Sequence, residues 1–185
     1  MKEVIKISVI LTGVCVICGI LLALVYGLSK ERIAINAQKR ITAAIETLAP
    51  QATEVMPVTA AANSAYKLFD RQSEFIGYAL IAAGQGYQGN IKMIAIVDAD
   101  LSRLQGIEII ESSETPGLGA KIQDTFFKEQ FRNLNVAPKI SYTKEAITTD
   151  NQIKAITGAT VSSRAVVNIL NQRLAQLKHQ EQGAN

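Results

Sequence analysis

The sequence predicts an α+β protein in which a single N-terminal transmembrane helix precedes a small domain with a mainly antiparallel sheet and flanking helices. Three observations carry that prediction. Ile7 to Leu28 holds no charged residue and is dominated by Ile, Leu, Val, Gly and Ala. Phe75 to Ala82, Ile91 to Val97 and Gly106 to Ile110 are strand-like runs rich in Ile and Val, joined by short loops. Val161 to Lys178 has a helical period, with Val166, Ile169, Leu170, Leu174 and Leu177 on one face, and it follows the strands rather than alternating with them.

At ~1.5 Å per residue the apolar run spans roughly a 30 Å hydrocarbon core. A cleaved signal peptide is the rival reading. The run is long for its apolar region, however, and no small-x-small site ends it, so it reads as an uncleaved span. Lys30, Arg32, Lys39 and Arg40 after the span outnumber Lys2 and Lys6 before it, which by charge count alone puts the following domain in the cytoplasm. Long domains translocate largely regardless of charge, so the count decides little. Cys15 and Cys18 share a helix face inside the span and read as small packing residues.

Ser29 to Ala49 reads as an amphipathic helix with Ile33, Ala37, Ile41, Ala44, Ile45 and Leu48 in a stripe, ended by Pro50. It can prolong the transmembrane helix as a stalk or dock on the domain. Gln51 to Ser64 has no steady period and reads as a loop. In the central strand Ile91, Met93, Ala95 and Val97 alternate with Lys92, Ile94 and Ile96, a near-continuous apolarity that predicts burial on both faces. Asp98-Ala99-Asp100 opens a turn. Ile122 to Phe131 reads as a short helix with Ile122, Phe126 and Phe131 inward, and Val136 to Tyr142 as another strand. The polar tail Gln180 to Asn185 reads as disordered.

Composition narrows the chemistry. The chain has 185 residues and a formal charge of +3, with no Lys/Arg run to track a nucleic-acid backbone, so no nucleic-acid partner is expected. After Cys18 there is no cysteine, and His179 is the only histidine. Disulfides, thiolate zinc sites, cysteine nucleophiles and histidine-based catalysis are thereby excluded from the domain, and no metal site is expected. Gly84 to Gly89 matches Gly-x-Gly-x-x-Gly, but a strand follows it where a dinucleotide site needs a helix, so it reads as a hairpin turn.

Two stretches are candidates for a site. Ile156-Thr157-Gly158-Ala159-Thr160-Val161-Ser162-Ser163-Arg164 leads from a short strand, Gln152 to Ile156, into the last helix. Thr160 falls at that helix's first position or its cap. Local physics reads this as an N-cap. The unpaired N–H groups there also favour an anion, with Arg164 one turn on to pair with a phosphate. Glu111-Ser112-Ser113-Glu114-Thr115-Pro116-Gly117-Leu118-Gly119 leaves the sheet through a Pro/Gly turn. It reads as a plain turn, or as one whose backbone can approach a planar ligand closely.

Thr157-Gly158-Ala159-Thr160 resembles the flavinylation motif, Ser/Thr-Gly-Ala-Thr, of FMN-binding domains in the G subunit of the Rnf ion-translocating oxidoreductase complex. The C subunit of the sodium-translocating NADH:quinone reductase shares it. Ser113-Glu114-Thr115-Pro116-Gly117-Leu118-Gly119 is similar to the second hallmark of the same domain, and Gly86-Tyr87-Gln88-Gly89-Asn90-Ile91 to its usual entry. The likeness covers roughly Gly77 to Leu170. It implies FMN as cofactor, joined through its phosphate to Thr160, with Thr157, Gly158, Ala159, Ser163 and Arg164 around the phosphate and Glu114, Thr115, Gly117, Leu118 and Gly119 as candidates to line the flavin. It also implies partner subunits in a membrane complex that moves electrons between ferredoxin and NAD, a separate flavin transferase for attachment, and a domain outside the cytoplasm at the inner membrane.

The expected division is an anchor at 1–28, a helical stalk and linker at 29–64, an FMN-binding domain at 65–178 and a tail at 179–185. The families usually carry Asp six residues before the flavinylated Thr, where this chain has Lys154. That departure keeps a flavin-free anchor or assembly module open as an alternative, beside a flavin-binding sensor domain. Phe126, Phe127 and Phe131 can touch a flavin ring or pack in the core.

Overall fold

The computed structural model describes residues 2–58 and 65–183. It separates into two compact units, residues 1–40 and 41–185. The first unit is helical. Helix α1 runs unbroken over Lys2–Leu48, and its segment Val4–Lys30 is long and apolar enough to cross a membrane.

The second unit opens with the end of α1. Ile41, Ala44, Ile45 and Ala49 recur at helical spacing and are buried. Ile33, in the same sequence stripe, belongs to the first unit and is exposed. The helix stops at Leu48 because a residue before proline, here Ala49 before Pro50, is pushed out of the helical region.

Six strands then form one antiparallel sheet in chain order: β1 (Glu54–Pro57), β2 (Ala65–Phe69), β3 (Phe75–Gln85), β4 (Asn90–Asp98), β5 (Arg103–Ser112) and β6 (Leu134–Asn135). The sequence leaves Gln51–Ser64 as a loop, yet Glu54–Pro57 pairs with β2, Glu54 opposite Phe69. All four β1 residues are exposed, so no alternation marks the strand, and its place comes from edge pairing alone. Residues 59–64 lie outside the described residues. In the turn from β4 to β5, the side chain of Asp98 accepts the Arg103 N–H (2.8 Å) and that of Asp100 the Ser102 N–H (3.1 Å).

Strand β4 is buried on both faces, as its apolarity predicts. Ile91, Met93, Ala95 and Val97 join the larger core, with Ile122, Phe127, Phe131 and the apolar stripe of the last helix. Ile94 and Ile96 join the smaller core, under Ile41, Ala44 and Ile45 of α1. Helices therefore cover both faces of the sheet.

The stretch after β5 is more broken than its periodicity suggests. A 3₁₀ turn (Gly119–Gln123), a single α-turn α2 (Thr125–Lys128) and a second 3₁₀ turn (Glu129–Phe131) replace one helix. Phe127, not Phe126, points inward and stacks edge-on against Phe131 at 5.4 Å, while Phe126 is exposed. The single strand expected over Val136–Tyr142 is instead β6 and β7 (Ser141–Thr143), separated at Pro138, which has no N–H to give to a ladder. Strand β7 pairs in parallel with β8 (Gln152–Lys154), which delivers the chain to helix α3 (Thr160–Gly183).

Helix α3 continues through most of the tail expected to be disordered. The Glu181 carboxylate sits beside the Tyr78 hydroxyl and lies 3.8 Å from Lys67 Nζ, which ties the last turns of α3 to the sheet. Burial, with this contact added, pushes the Tyr78 hydroxyl well above its ordinary pKa. Ala184 and Asn185 lie outside the described residues.

Candidate functional site

Both candidate stretches fold into the same local device. In Thr115-Pro116-Gly117-Leu118 the Leu118 N–H donates to the Thr115 carbonyl (3.2 Å), with Gly117 at φ +75°. In Ile156-Thr157-Gly158-Ala159 the Ala159 N–H donates to the Ile156 carbonyl (2.9 Å), with Gly158 at φ +82°. A turn with a left-handed third residue selects glycine there, because a Cβ clashes with its own backbone.

The two turns wall one cavity of about 320 Å³, within the ~300–1,000 Å³ usual for small-molecule sites. Thr115, Leu118 and Gly119 come from the first turn; Gly158, Ala159 and Thr160 come from the second. Val161 and Ser162 of α3 and Tyr87 from the β3–β4 turn complete it. Tyr87, Leu118 and Val161 are exposed apolar surfaces at its edge, suited to a planar ring. Hydroxyls of Thr115, Thr160 and Ser162 lie among the lining residues.

Thr160 is the first residue of α3. Ala159 therefore occupies the cap position and has no side-chain acceptor to offer. The first intrahelical bond runs from the Ser163 N–H to the Ala159 carbonyl (3.0 Å). The N–H groups of Thr160, Val161 and Ser162 precede it, and all three residues line the cavity. That is the arrangement in which a helix start receives an anionic group.

Other candidates take supporting places. Ser163 is fully buried; its hydroxyl accepts the Ile156 N–H (3.0 Å) and donates to the Ala159 carbonyl (3.0 Å), holding the turn to the helix. Arg164 and Gly117 are exposed and do not line the cavity. Thr157 and Lys154 line a neighbouring cavity of about 470 Å³, together with Lys121, Asp124 and Phe126. The Lys154 backbone is held from both sides by the Gln130 side chain, at 2.7 and 3.2 Å.

Glu114 is 6% exposed and lies behind the wall of the first cavity. One carboxylate oxygen accepts the backbone N–H groups of Tyr87 (2.8 Å) and Gln88 (3.0 Å), and the other accepts the Ser162 hydroxyl. Burial works against the charge, but these hydrogen bonds outweigh it and hold the carboxyl below its ordinary pKa. Gly119 has no room for a side chain: a Cβ there would come within 2.6 Å of Ser162 Oγ and meet the Glu114 carboxylate.

Sequence reasoning missed Tyr87, Val161 and Ser162. Tyr87 was visible only as part of the domain-entry likeness. Val161 and Ser162 stand beside the motif Thr and enter the site because α3 begins there.

The FMN-binding domain family matches residues 86–175, from the β3–β4 turn through most of α3. The G subunit of the ion-translocating oxidoreductase complex of Methanosarcina acetivorans is 33% identical over 188 residues, covering 97% of each chain. The chain belongs to the family of G subunits of ion-translocating oxidoreductase complexes. Another relative, the G subunit of the proton-translocating ferredoxin:NAD(+) oxidoreductase complex of Clostridium ljungdahlii, is 29% identical over 170 residues, 90% of this chain and 88% of that one.

The domain also shares its fold with the C subunit of the Na(+)-translocating NADH-quinone reductase of Parabacteroides distasonis. That match has a TM-score of 0.61 and 20% identity, and covers 79% of this chain and 92% of that one. This member of the G-subunit family is thus a membrane-anchored redox subunit with FMN as its cofactor. The cavity fits such a group: it pairs an open helix start, suited to a phosphate, with apolar surfaces suited to a ring.

Proposed function

We propose that this chain is the G-type subunit of an Rnf-like complex, with FMN joined through its phosphate to Thr160 Oγ. The observation that carries the reading is the position of Thr160. It is the one motif threonine that both begins α3 and lines the cavity between the two turns. When bound, FMN supplies the electron-carrying chemistry, and the protein supplies position and electrostatics. The α3 N–H groups receive the phosphate charge, the two glycine turns hold the walls apart, and Tyr87, Leu118 and Val161 shield the ring from water.

An alkyl hydroxyl is a weak nucleophile without a base. Glu114, the buried carboxylate behind the cavity, has both oxygens engaged by Tyr87, Gln88 and Ser162. Attachment therefore calls on a separate flavin transferase. The names of the relatives support a role between ferredoxin and NAD. The chain would act within a complex of several subunits, without independent catalysis. Its domain would lie on the periplasmic side of the inner membrane.

Intact mass of the chain from cells holding the transferase tests the linkage. The expected result is a gain of one FMN less one water, mapped to the peptide containing Thr160; an unmodified mass points instead to the flavin-free module. A periplasm-dependent reporter fused after Asn185 is expected to be active, and activity of a cytoplasm-only reporter there would overturn the orientation.

A further inference from the structure

Glu114 is placed for more than packing. Its side chain lies one residue behind the cavity wall, and three wall residues touch it: Tyr87 through its N–H, Ser162 through its hydroxyl, and Gly119, whose Cβ position its carboxylate fills. The contact joins two segments far apart in sequence, the β3–β4 turn and the start of α3. It is a buried anion whose named partners are all neutral donors: Ser162 and the N–H groups of Tyr87, Gln88 and, at the limit of bonding distance, Gly89 (3.5 Å). Neutral donors stabilise a charge without cancelling its long-range field.

We propose that Glu114 acts as a fixed negative charge behind the flavin cavity that holds the bound flavin's reduction potential down, while clamping the β3–β4 turn to the start of α3. The inference rests on the reading that the flavin occupies the Thr160 cavity. Reduction adds electrons to the ring, and the carboxylate repels them, which favours the oxidised form. Donating groups at the α3 start pull the other way, so Glu114 sets the balance for a carrier that must pass its electrons on.

Glu114→Gln separates charge from shape. The amide oxygen can accept the Tyr87 and Gln88 N–H groups, and the amide NH₂ can donate to Ser162 Oγ, which has free lone pairs. Ser162→Ala does the reverse: it removes the hydroxyl and keeps the charge, less stabilised. The experiment is a spectroelectrochemical titration near pH 8 of the full-length, flavin-loaded chain in detergent, for wild type and both variants.

Glu114→Gln is expected to raise the midpoint potential by a tenfold change in the two-electron equilibrium, about 30 mV, or more. Ser162→Ala is expected to leave it unchanged or lower it. An unchanged potential in loaded Glu114→Gln overturns the inference. So does an upward shift in Ser162→Ala, which by itself decides the matter if the Gln variant does not accumulate. A wild-type chain without flavin at Thr160 overturns the underlying reading and this inference with it. A loaded chain whose potential ignores Glu114 overturns this inference alone.

Discussion

Gly158 faces Leu118: a Cβ on Gly158 would lie 3.7 Å from Leu118 Cδ2. This contact brings together the two turns that the sequence presents as separate motifs. One turn ends the long β5 excursion and the other begins α3, so the cavity exists only when both are built. Its walls are backbone turns fixed by glycine conformations, and substitutions there act on cofactor placement before they act on the core.

Thr160→Ala should abolish covalent flavin and leave the fold intact. Thr160 is the first helical residue rather than the cap, and the change keeps a good helix former there. Stability should move by no more than about 0.5 kcal/mol. Urea unfolding of the two proteins without flavin, beside in-gel flavin fluorescence, checks both halves of the statement.

The two cavity glycines should fail for different reasons. At Gly158 an added methyl meets only Leu118 at ordinary contact distance, so the cost of Gly158→Ala is dihedral, about 1–2 kcal/mol. At Gly119 it meets Ser162 and Glu114, so Gly119→Ala is steric and should also part the β3–β4 turn from α3. Unfolding midpoints should fall in both. Replacing Glu114 by Ala in the Gly119→Ala background should recover part of the loss at Gly119 and none of the loss at Gly158.

Glu114 also sets a pH dependence. Its carboxyl is held below the ordinary carboxylate value of about 4.3, so the stability it contributes is fully present above that value. That stability is lost as pH falls through the lower folded pKa. Melting temperatures of wild type and Glu114→Gln, measured from about pH 7 to pH 3, should converge at the acid end. A gap that stays constant across the range would show that the group does not titrate with folding.

Lys154 tests the departure from the family motif. It lines the neighbouring cavity with Lys121 and Asp124, not the one lined by Thr160, and its backbone is secured by Gln130 whatever its side chain. Lys154→Asp should therefore leave flavin loading by the native transferase unchanged. Co-expression with a transferase from an organism whose motif carries Asp should load both forms alike. In-gel fluorescence reads the outcome, and flavin in the Asp form only would mark residue 154 as a recognition element.

Much of this molecule is written locally. An uncharged run, an apolar strand such as Ile91–Val97 and a 3.6-residue period over α3 each declare an element by spacing alone. Gly117 and Gly158 declare turns because few other residues tolerate their backbone angles. What spacing cannot declare is which distant group meets which. Glu54–Pro57 carries no alternation, so its strand exists only through its pairing with β2. The helical period turns Phe126 inward, yet the break of the helix into 3₁₀ and α turns buries Phe127 and exposes Phe126. Glu114 stands in a motif that suggests contact with a ligand. Tertiary packing instead gives its oxygens to Tyr87, Gln88 and Ser162, because a buried charge is stable only where donors from other parts of the chain converge on it.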